Sequence, residues 1–376
     1  MGMFAIILSA SITLGFLALM VWYAPSRIAS WSGAPRTWPF FAGAVAIAAS
    51  FMTLTGIVPG STNAILGSAT IAASIAAVFL LLLTLATLAM DGLRRVVPLD
   101  NRTALTITIA TAALLVAAGV WRGYRFEVVE VDVAMPGLEN DVTVMHVADV
   151  HLGHQRGAAY LERIVDAINA RGPDLVLLNG DLVETNHAVN RDALAALRKI
   201  EAPVYFVNGN HELTVDHARA LAIIRENGVR VLTNEVVQTH GLQLIGLDYM
   251  RADDEAFDPH ATGGPTIRDV IPQLELAPGK PTLLMHHSPV GVPYVVERGV
   301  DLMVAGHTHA GQVFPMTWLA KLSFRYLRGL YEEQDTRIFV SQGVGTFGVP
   351  MRLGSSNEIE LIRLRAMPGS AARSHD

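Results

Sequence analysis

The chain has 376 residues, 51% of them hydrophobic, and a mean hydropathy of +0.37, which is too apolar for an ordinary soluble enzyme. The absence of cysteine excludes disulfides, thiolate nucleophiles and cysteine-ligated zinc or iron–sulfur sites, so any metal must be held by oxygen and imidazole nitrogen. Residues 1–125 carry a formal charge of +5 and the other 251 residues carry −11. That acidic part excludes extended nucleic-acid binding, which needs clustered Lys and Arg.

Four long uncharged runs in the first third of the chain predict membrane-spanning helices. They cover residues 1–24, 37–58, 69–90 and 103–121. Each run is long enough to cross a hydrocarbon core of roughly 30 Å as a helix. No basic residue precedes the first run and three more follow it, which argues against a cleaved signal peptide. We therefore expect a four-helix transmembrane anchor at residues 1–121, a separate domain at residues 122–366 and a flexible tail at residues 367–376.

The arginines between these runs predict the orientation of the anchor, because basic loops stay on the cytoplasmic side. Five arginines lie in the first and third connections, and the second connection, residues 59–68, is uncharged. Two more arginines follow the fourth run. With the amino terminus outside, five arginines face the cytoplasm and two do not. The domain that follows the anchor is then extracytoplasmic.

After Arg125 short apolar runs alternate with amphipathic segments, the pattern of a layered α/β architecture. Strands are predicted at residues 126–133, 142–148, 175–178, 204–207, 242–247, 282–285, 302–305 and 338–341. Helices are predicted at residues 158–170, 192–200 and 215–227, where apolar residues recur at helical spacing. No internal repeat is present.

Five of the predicted strands end in residues that bind metals. The endings are Asp149-Val150-His151, Gly180-Asp181, Gly209-Asn210-His211-Glu212, His286-His287-Ser288-Pro289 and Gly306-His307-Thr308-His309. In α/β sheets ligands collect beyond the carboxyl ends of strands, so these endings are expected to converge. Each ending alone is more often a turn or a solvated pair. Together they offer imidazole, carboxylate and amide donors, a set suited to Mn, Fe or Zn rather than Ca.

This order of motifs resembles the calcineurin-like metallophosphoesterase superfamily over nearly the whole domain, residues 142–364. The segments Asp149-Val150-His151-Leu152-Gly153, Gly306-His307-Thr308-His309-Ala310-Gly311-Gln312 and Pro350-Met351-Arg352 look like the bacterial YkuE/YaeI-type branch, whose members have such membrane anchors. The resemblance implies a four-layer αββα sandwich and a multi-pass protein of the bacterial inner (cytoplasmic) membrane. Ala310, where the branch commonly has Gly, and Asn357, where Pro is frequent, depart from its pattern.

The resemblance also implies a site with two divalent metal ions (Mn, Fe or Zn). It assigns the first ion to Asp149, His151 and His309, the second to Asn210, His287 and His307, and a bridging position to Asp181. His287 is preferred over His286 because the family's ligand usually stands two residues before a proline, here Pro289. His211 is implied as a catalytic residue that is not a ligand, and Asp181 is catalytic as the bridge.

These assignments predict a hydrolase of phosphoric esters or diphosphates. Two divalent ions about 3.5 to 4 Å apart activate a water and neutralise charge on the phosphoryl oxygens, and no protein nucleophile is required. An imidazole such as His211 is suited to stabilise the transition state or protonate the leaving oxygen. His146, inside a predicted strand, is interpreted as a core residue, and His154 as a solvated residue or a substrate contact.

Three functions fit this pattern. The preferred one is hydrolysis of a phosphodiester or diphosphate, with a lipid-linked substrate as one form because the anchor holds the site near the bilayer. The second is hydrolysis of soluble nucleotides or cyclic nucleotides, and the third is a phosphate-binding membrane sensor without turnover. The segment 318–330 interleaves aromatic and basic residues, which is typical either of a membrane-interface segment or of ordinary packing.

Overall fold

The computed structural model describes residues 15, 19–256, 258, 260–261 and 263–367. Its helices are α1 (Ala24–Ser32), α2 (Trp38–Ile57), α3 (Ala64–Leu93), α4 (Asn101–Gly123), α5 (Ala158–Asn169), α6 (Arg191–Leu194), α7 (His217–Glu226), α8 (Ile267–Val270), α9 (Val292–Glu297) and α10 (Met316–Ser323). Most of the predicted first span and all but the first residue of the predicted tail lie outside the described residues. The described part of that span includes a π-helical turn, Leu19–Tyr23.

Three helices of the described part are long and apolar enough to cross a membrane. They are the segments Trp38–Gly60, Ala64–Leu93 and Asn101–Gly123. Their windows bury at most 28% of their residues inside the protein, so their apolar side chains are available to lipid. Proline in the first turn begins α2, and the Asn63 side chain caps α3 by accepting from Ile65 and Leu66.

The two ends of the helical anchor differ in what they contact. The short connection between α2 and α3 lies against the α/β domain that follows the anchor, where the Ser61 carbonyl is 3.2 Å from His154 Nε2. Asn186 donates to the Gly60 carbonyl at 3.3 Å. At the opposite end Arg27 forms an ion pair with Asp91. The uncharged connection therefore shares a side of the anchor with the domain.

Twelve strands form two six-stranded sheets in the described chain. The strands are β1 (Glu127–Pro136), β2 (Val142–Val147), β3 (Leu175–Asn179), β4 (Val204–Val207), β5 (Arg230–Val231), β6 (Glu235–Thr239), β7 (Leu242–Gly246), β8 (Thr282–Met285), β9 (Leu302–Ala305), β10 (Gly329–Glu333), β11 (Thr336–Val340) and β12 (Glu358–Met367). The first sheet has the order β1-β12-β2-β3-β4-β5 and the second β10-β11-β9-β8-β7-β6. The strands β2, β3 and β4 are parallel, as are β7, β8, β9 and β11.

The core clusters follow the alternation of side chains along these strands. One cluster takes residues from both sheets, such as Val144 and Leu177 from the first and Leu244 and Val304 from the second. Another joins the first sheet to α5, which buries Leu161 among other apolar residues. A third joins the second sheet to α8 and α9. The central strands carry apolar residues on both faces, so both faces are buried in these clusters.

All eight predicted strands are present, with ends that differ from the prediction by up to three residues. The strands β5, β6, β10 and β12 were not predicted. The last was missed because its alternating Glu and Arg residues suggest an exposed segment, although Glu358 and Glu360 are buried. The predicted helix at 192–200 is α6 followed by a 3-10 segment, Ala195–Lys199.

Candidate metal centre

The loops that follow β2, β3, β4, β8 and β9 bring the predicted ligands to one place. Asp149, His151, His287 and His309 are fully or almost fully buried, as is Asp181. The backbone of Asp149, His151, Asp181, His307 and His309 is left-handed, with φ between 48° and 71°. Residues other than Gly rarely adopt this backbone conformation, and such strain is concentrated at functional sites. Three of the five ligand loops, those after β2, β3 and β9, are therefore held against their local preference by the surrounding structure.

The first group of donors consists of Asp149, His151 and His309, whose ligand atoms lie within 4.8 Å of one another. His309 Nε2 is 3.2 Å from Asp149 Oδ1, and His151 Nε2 is 3.0 Å from His309 Nε2. Burial lowers the pKa of His151 to about 4, and it also lowers the pKa of His309. Both imidazoles are therefore neutral, the form that binds a metal.

The second group consists of Asp181, His287 and His307, also within 4.8 Å. His287 Nε2 is 3.1 Å from Asp181 Oδ2, and His307 Nδ1 is 2.9 Å from Asn210 Oδ1. Asp181 Oδ2 also lies 3.7 Å from His151 Nε2 in the first group. The Asp181 carboxylate thus stands between the two groups.

The ring of His287 is oriented by its backbone contact. Its Nδ1 lies 2.8 Å from the Asn179 carbonyl and must donate to it, which leaves Nε2 as the lone-pair nitrogen in the neutral ring. That buried Nε2 lies 3.1 Å from Asp181 Oδ2, an ion-pair distance, but forms no hydrogen bond of good geometry with the described residues. The neighbouring His286 instead points its Nδ1 at the Ser288 carbonyl, at 2.7 Å, and its ring stacks with Tyr249.

The charges of the site favour a bound cation. Burial alone would raise the pKa of Asp181, but His287 and His211 lower it below its ordinary value. For His287, burial would lower the pKa, but Asp181 and Asp149 raise it to about 10. Within the described chain neither aspartate forms an ion pair with Lys or Arg. The oxygen and imidazole donors, the His287 Nε2 that faces Asp181 without a hydrogen bond, and this negative field fit divalent Mn, Fe or Zn.

His211 borders the two groups without belonging to the seven predicted ligands. Its backbone N–H donates to Asp181 Oδ1 at 2.8 Å, and its Nε2 is 4.0 Å from Asp181 Oδ2. The side chain is 22% exposed, so it reaches the open side of the site. Such an imidazole is available to a phosphoryl group bound there.

Glycine is required where the loops approach the aspartates most closely. A Cβ at Gly209 would overlap the Asp181 carboxylate, and one at Gly306 would overlap the Asp149 carboxylate. At Ala310, where the branch pattern has Gly, the backbone is left-handed at φ 49°. The alanine therefore takes the glycine conformation at the cost of backbone strain.

Sequence reasoning assigned no role to four residues that shape the site. Glu212 accepts from the backbone N–H groups of Asp181 and Gly209 at 2.9 and 2.7 Å. Glu184 forms a further group of possible metal donors with His151 and His211. The motif around Asn210 contained Glu212, but nothing in the sequence marked Glu184.

The other two overlooked residues join the site to the anchor. Buried Arg352 donates to the carbonyl of His309 at 2.7 Å and to Asn357 Oδ1 at 2.7 Å. Asn357 in turn donates to the carbonyl of Gly123, the last residue of α4, at 2.7 Å. Burial lowers the pKa of Arg352 to about 9. The polar side chain at 357, which departs from the branch pattern, thus ties α4 to the loop of His309.

His146 and His154 have structural contacts. His146 Nδ1 is 2.8 Å from Glu360 Oε2 and its Nε2 is 3.1 Å from Asn179 Nδ2, so both nitrogens of this buried ring have partners. His154 contacts the α2–α3 connection and stacks on His187 with ring centroids 4.4 Å apart.

The fold and the donor groups define a metallophosphoesterase. Residues 142–311 match the calcineurin-like phosphoesterase family. An uncharacterized metallophosphoesterase of Aquifex aeolicus (strain VF5) is 30% identical over 231 residues, which are 60% of this chain and 85% of that protein. The chain belongs to the calcineurin-like metallophosphoesterase family.

Two further relatives match this chain over a smaller share of their own length. An uncharacterized metallophosphoesterase of Helicobacter pylori (strain J99) is 32% identical over 65% of this chain and 66% of its own length. A Bos taurus protein named transmembrane protein with metallophosphoesterase domain is 33% identical over 62% of this chain and 55% of its own length. The chain thus spans about two thirds or less of the length of these two relatives.

Proposed function

We propose that this protein is a membrane-anchored, dinuclear metal-dependent hydrolase of a phosphodiester or a diphosphate. The observation that carries the proposal is the convergence of the donor atoms of two His/Asp groups on the buried Asp181 carboxylate. A sensor without turnover would not need a complete donor set together with an accessible His211. We infer the full αββα sandwich and a fourth span within residues 1–24 as the setting of this site.

Each residue has a role in this proposal. Asp149, His151 and His309 hold one ion, Asn210, His287 and His307 hold the other, and Asp181 bridges them. When bound, the ions supply positive charge that stabilises the phosphoryl transition state and acidifies water. His211 protonates the leaving oxygen or stabilises the charge that develops on the phosphoryl group. Glu212 and Arg352 position the loops that carry these groups.

The contacts and charges of the anchor favour an extracytoplasmic position for the domain. The uncharged α2–α3 connection contacts the domain, so the connections with Arg27, Arg36, Arg94, Arg95 and Arg102 belong to the other side, which the positive-inside rule makes cytoplasmic. A phosphatase reporter that is active only outside the cytoplasm, fused after Asp376, tests this orientation. We expect the fusion to be active, and activity of a cytoplasm-specific reporter alone would reverse the orientation.

Hydrolysis of two chromogenic esters tests the chemistry. The purified protein is stripped of metal, resupplied with Mn, Fe or Zn, and assayed with bis(p-nitrophenyl) phosphate and p-nitrophenyl phosphate. We expect metal-restored turnover that Asp181→Asn and His211→Ala each lower by at least about 100-fold. His217→Ala, a histidine at the start of α7 and outside the site, is the matched control. Confirmed metal occupancy without turnover of either ester would favour the sensor instead.

A further inference from the structure

The metal centre opens into a cavity that the membrane helices help to form. The cavity has a volume of about 640 Å³, within the usual range for small-molecule sites. Its lining includes Asp181, Asn210 and His211 from the metal centre and three apolar residues of α2 and α3, namely Phe51, Val78 and Leu81. One continuous space therefore joins the candidate phosphate site to helices that cross the membrane.

The position of Val78 and Leu81 along α3 puts the apolar end of the cavity at the depth of the bilayer. Arg94 and Arg95 follow the last residue of α3, Leu93, and mark the polar surface on the far side of the membrane. At 1.5 Å per residue, Leu81 lies about 18 Å and Val78 about 22 Å from Leu93. In a hydrocarbon core roughly 30 Å thick, both lie in the half nearer the catalytic domain.

The helix α10 forms another wall of this cavity and has the character of a membrane-interface helix. Leu319 and Ser323 face the cavity. Trp318 and Leu322 are 65% and 84% exposed, although both are large apolar residues. Lys321 lies between them, a combination typical of helices that rest in the headgroup region. The helix that forms this wall of the cavity thus also exposes side chains suited to contact lipid.

We propose that the substrate is a membrane amphiphile whose phosphate binds at the metal centre while its hydrocarbon chain stays in this cavity between α10 and the helices α2 and α3. The inference rests on the proposed hydrolase activity and specifies its substrate class. A phosphate of a soluble nucleotide would leave the apolar half of the cavity filled only with water. An alkyl chain instead packs against Phe51, Val78 and Leu81, and its apolar surface stays out of water while the phosphate reaches the donor groups.

A series of esters with one leaving group tests this assignment. Methyl, octyl and hexadecyl p-nitrophenyl phosphates undergo the same hydrolysis and release the same p-nitrophenolate, so they differ only in the chain. The metal-loaded full-length protein is assayed with each ester in detergent micelles at a constant ratio of ester to detergent. We expect kcat/KM to rise at least tenfold from the methyl to the hexadecyl ester.

Variants that fill the apolar half of the cavity provide the decisive comparison. Val78→Trp and Leu81→Trp add bulk far from the donor groups, and each is expected to lower the ratio of hexadecyl to methyl kcat/KM at least tenfold. Leu114→Trp is the matched control, because Leu114 lies in α4, is 70% exposed and does not line the cavity. Its ratio is expected to stay within twofold of the wild-type ratio.

The outcomes separate this inference from the proposed function. Hydrolysis of the methyl ester without any gain from chain length, or an equal ratio in Val78→Trp and Leu114→Trp, would overturn the amphiphile assignment alone. Failure of the metal-loaded wild-type protein to hydrolyse every ester of the series would overturn the hydrolase function itself. A chain-dependent rate that only the two cavity variants abolish would support both.

Discussion

Glu212 Oε2 accepts the backbone N–H of Asp181 at 2.9 Å. The same carboxylate accepts from Gly209 at 2.7 Å and from Val183 at 3.1 Å. It therefore joins the loop after β3, which carries the bridging aspartate, to the loop after β4, which carries Asn210. Burial, together with the charge of Asp181, raises the pKa of Glu212 to about 7. Two of the five ligand loops thus depend on one buried side chain.

Replacing Glu212 by Gln should weaken metal binding. The amide has one acceptor oxygen, and its NH₂ group would face a backbone donor, so at least one N–H loses its partner. We expect the affinity for Mn to fall by about 10- to 100-fold, as is usual when groups that orient metal ligands are changed. Titration calorimetry measures this effect. Glu226→Gln, at an exposed carboxylate of α7, is the control, and equal affinities in both variants would contradict the positioning role.

The bridging role of Asp181 predicts a change in metal stoichiometry. The wild-type chain should bind about two Mn ions, and Asp181→Asn should bind one or none, because an amide cannot neutralise two cations at close range. Elemental analysis of the purified, metal-loaded protein gives the count. Asp216→Asn, at the cap of α7, should retain the wild-type count. Two tightly bound ions in Asp181→Asn would contradict the bridge.

The contact between α3 and the catalytic domain can be tested at a glycine. A Cβ at Gly67 would overlap the His154 ring, whereas a Cβ at Gly56 of α2 meets nothing within 4 Å. Both sites are helical, so Gly→Leu raises helix propensity equally. We expect Gly67→Leu to be less stable than Gly56→Leu by about 1–3 kcal/mol, a typical result of overpacking. Equal Tm values for the two variants in the same detergent would show that this contact does not form.

A buried carboxylate away from the donor groups predicts a pH-dependent stability. Burial, reinforced by the charge of Asp149, raises the pKa of Glu360 to about 8 from its ordinary value of 4.5. Between these values the folded chain retains a proton that the unfolded chain releases, so the stability falls as the pH rises. Between pH 6.5 and 8 the buried histidines with pKa values near 4 act in the opposite direction, because their unfolded forms are still losing protons above pH 6.5, and this contribution fades towards pH 8.

Glu360→Gln removes this titration and keeps the shape of the side chain. We expect its Tm to fall less between pH 6.5 and 8 than the Tm of the wild type, because the other titrating groups are common to both proteins. Glu130→Gln, at a partly exposed carboxylate of β1, should keep the wild-type slope. A Glu360→Gln slope equal to that of the wild type would mean that this carboxylate is already ionised in the folded protein.

The membrane contact of α10 can be measured without removing any native thiol, because the chain has no cysteine. An environment-sensitive fluorophore attached at Leu322→Cys should shift its emission to the blue in liposomes, and lipid-borne quenchers should reduce its intensity. The same fluorophore at Asp192→Cys, on exposed α6, should respond to neither. A water-like spectrum at both positions would place α10 outside the headgroup region.

The local sequence was sufficient to predict three membrane spans and eight of the twelve strands, and to mark the candidate donors that follow five of those strands. The spacing of uncharged residues predicts the spans of α2, α3 and α4, since only the composition of about twenty successive residues matters for crossing lipid. The apolar runs that precede Asp149, Asp181, Asn210, His287 and His307 predict strands whose ends carry candidate donors. These signals are local, because each strand and the ligand that follows it are neighbours in the chain.

Only the tertiary structure decided which residues from distant segments contact one another around this site. The pairing of Glu360 with His146, the link from Asn357 to Gly123 and the placement of Glu212 beneath two loops join residues whose sequence patterns carry no mark of their partners. The cavity shared by Val78 and His211 depends on how the anchor packs against the domain. Burial and contacts between segments far apart in the chain depend on how the whole chain packs. They therefore cannot be predicted from any single stretch of sequence.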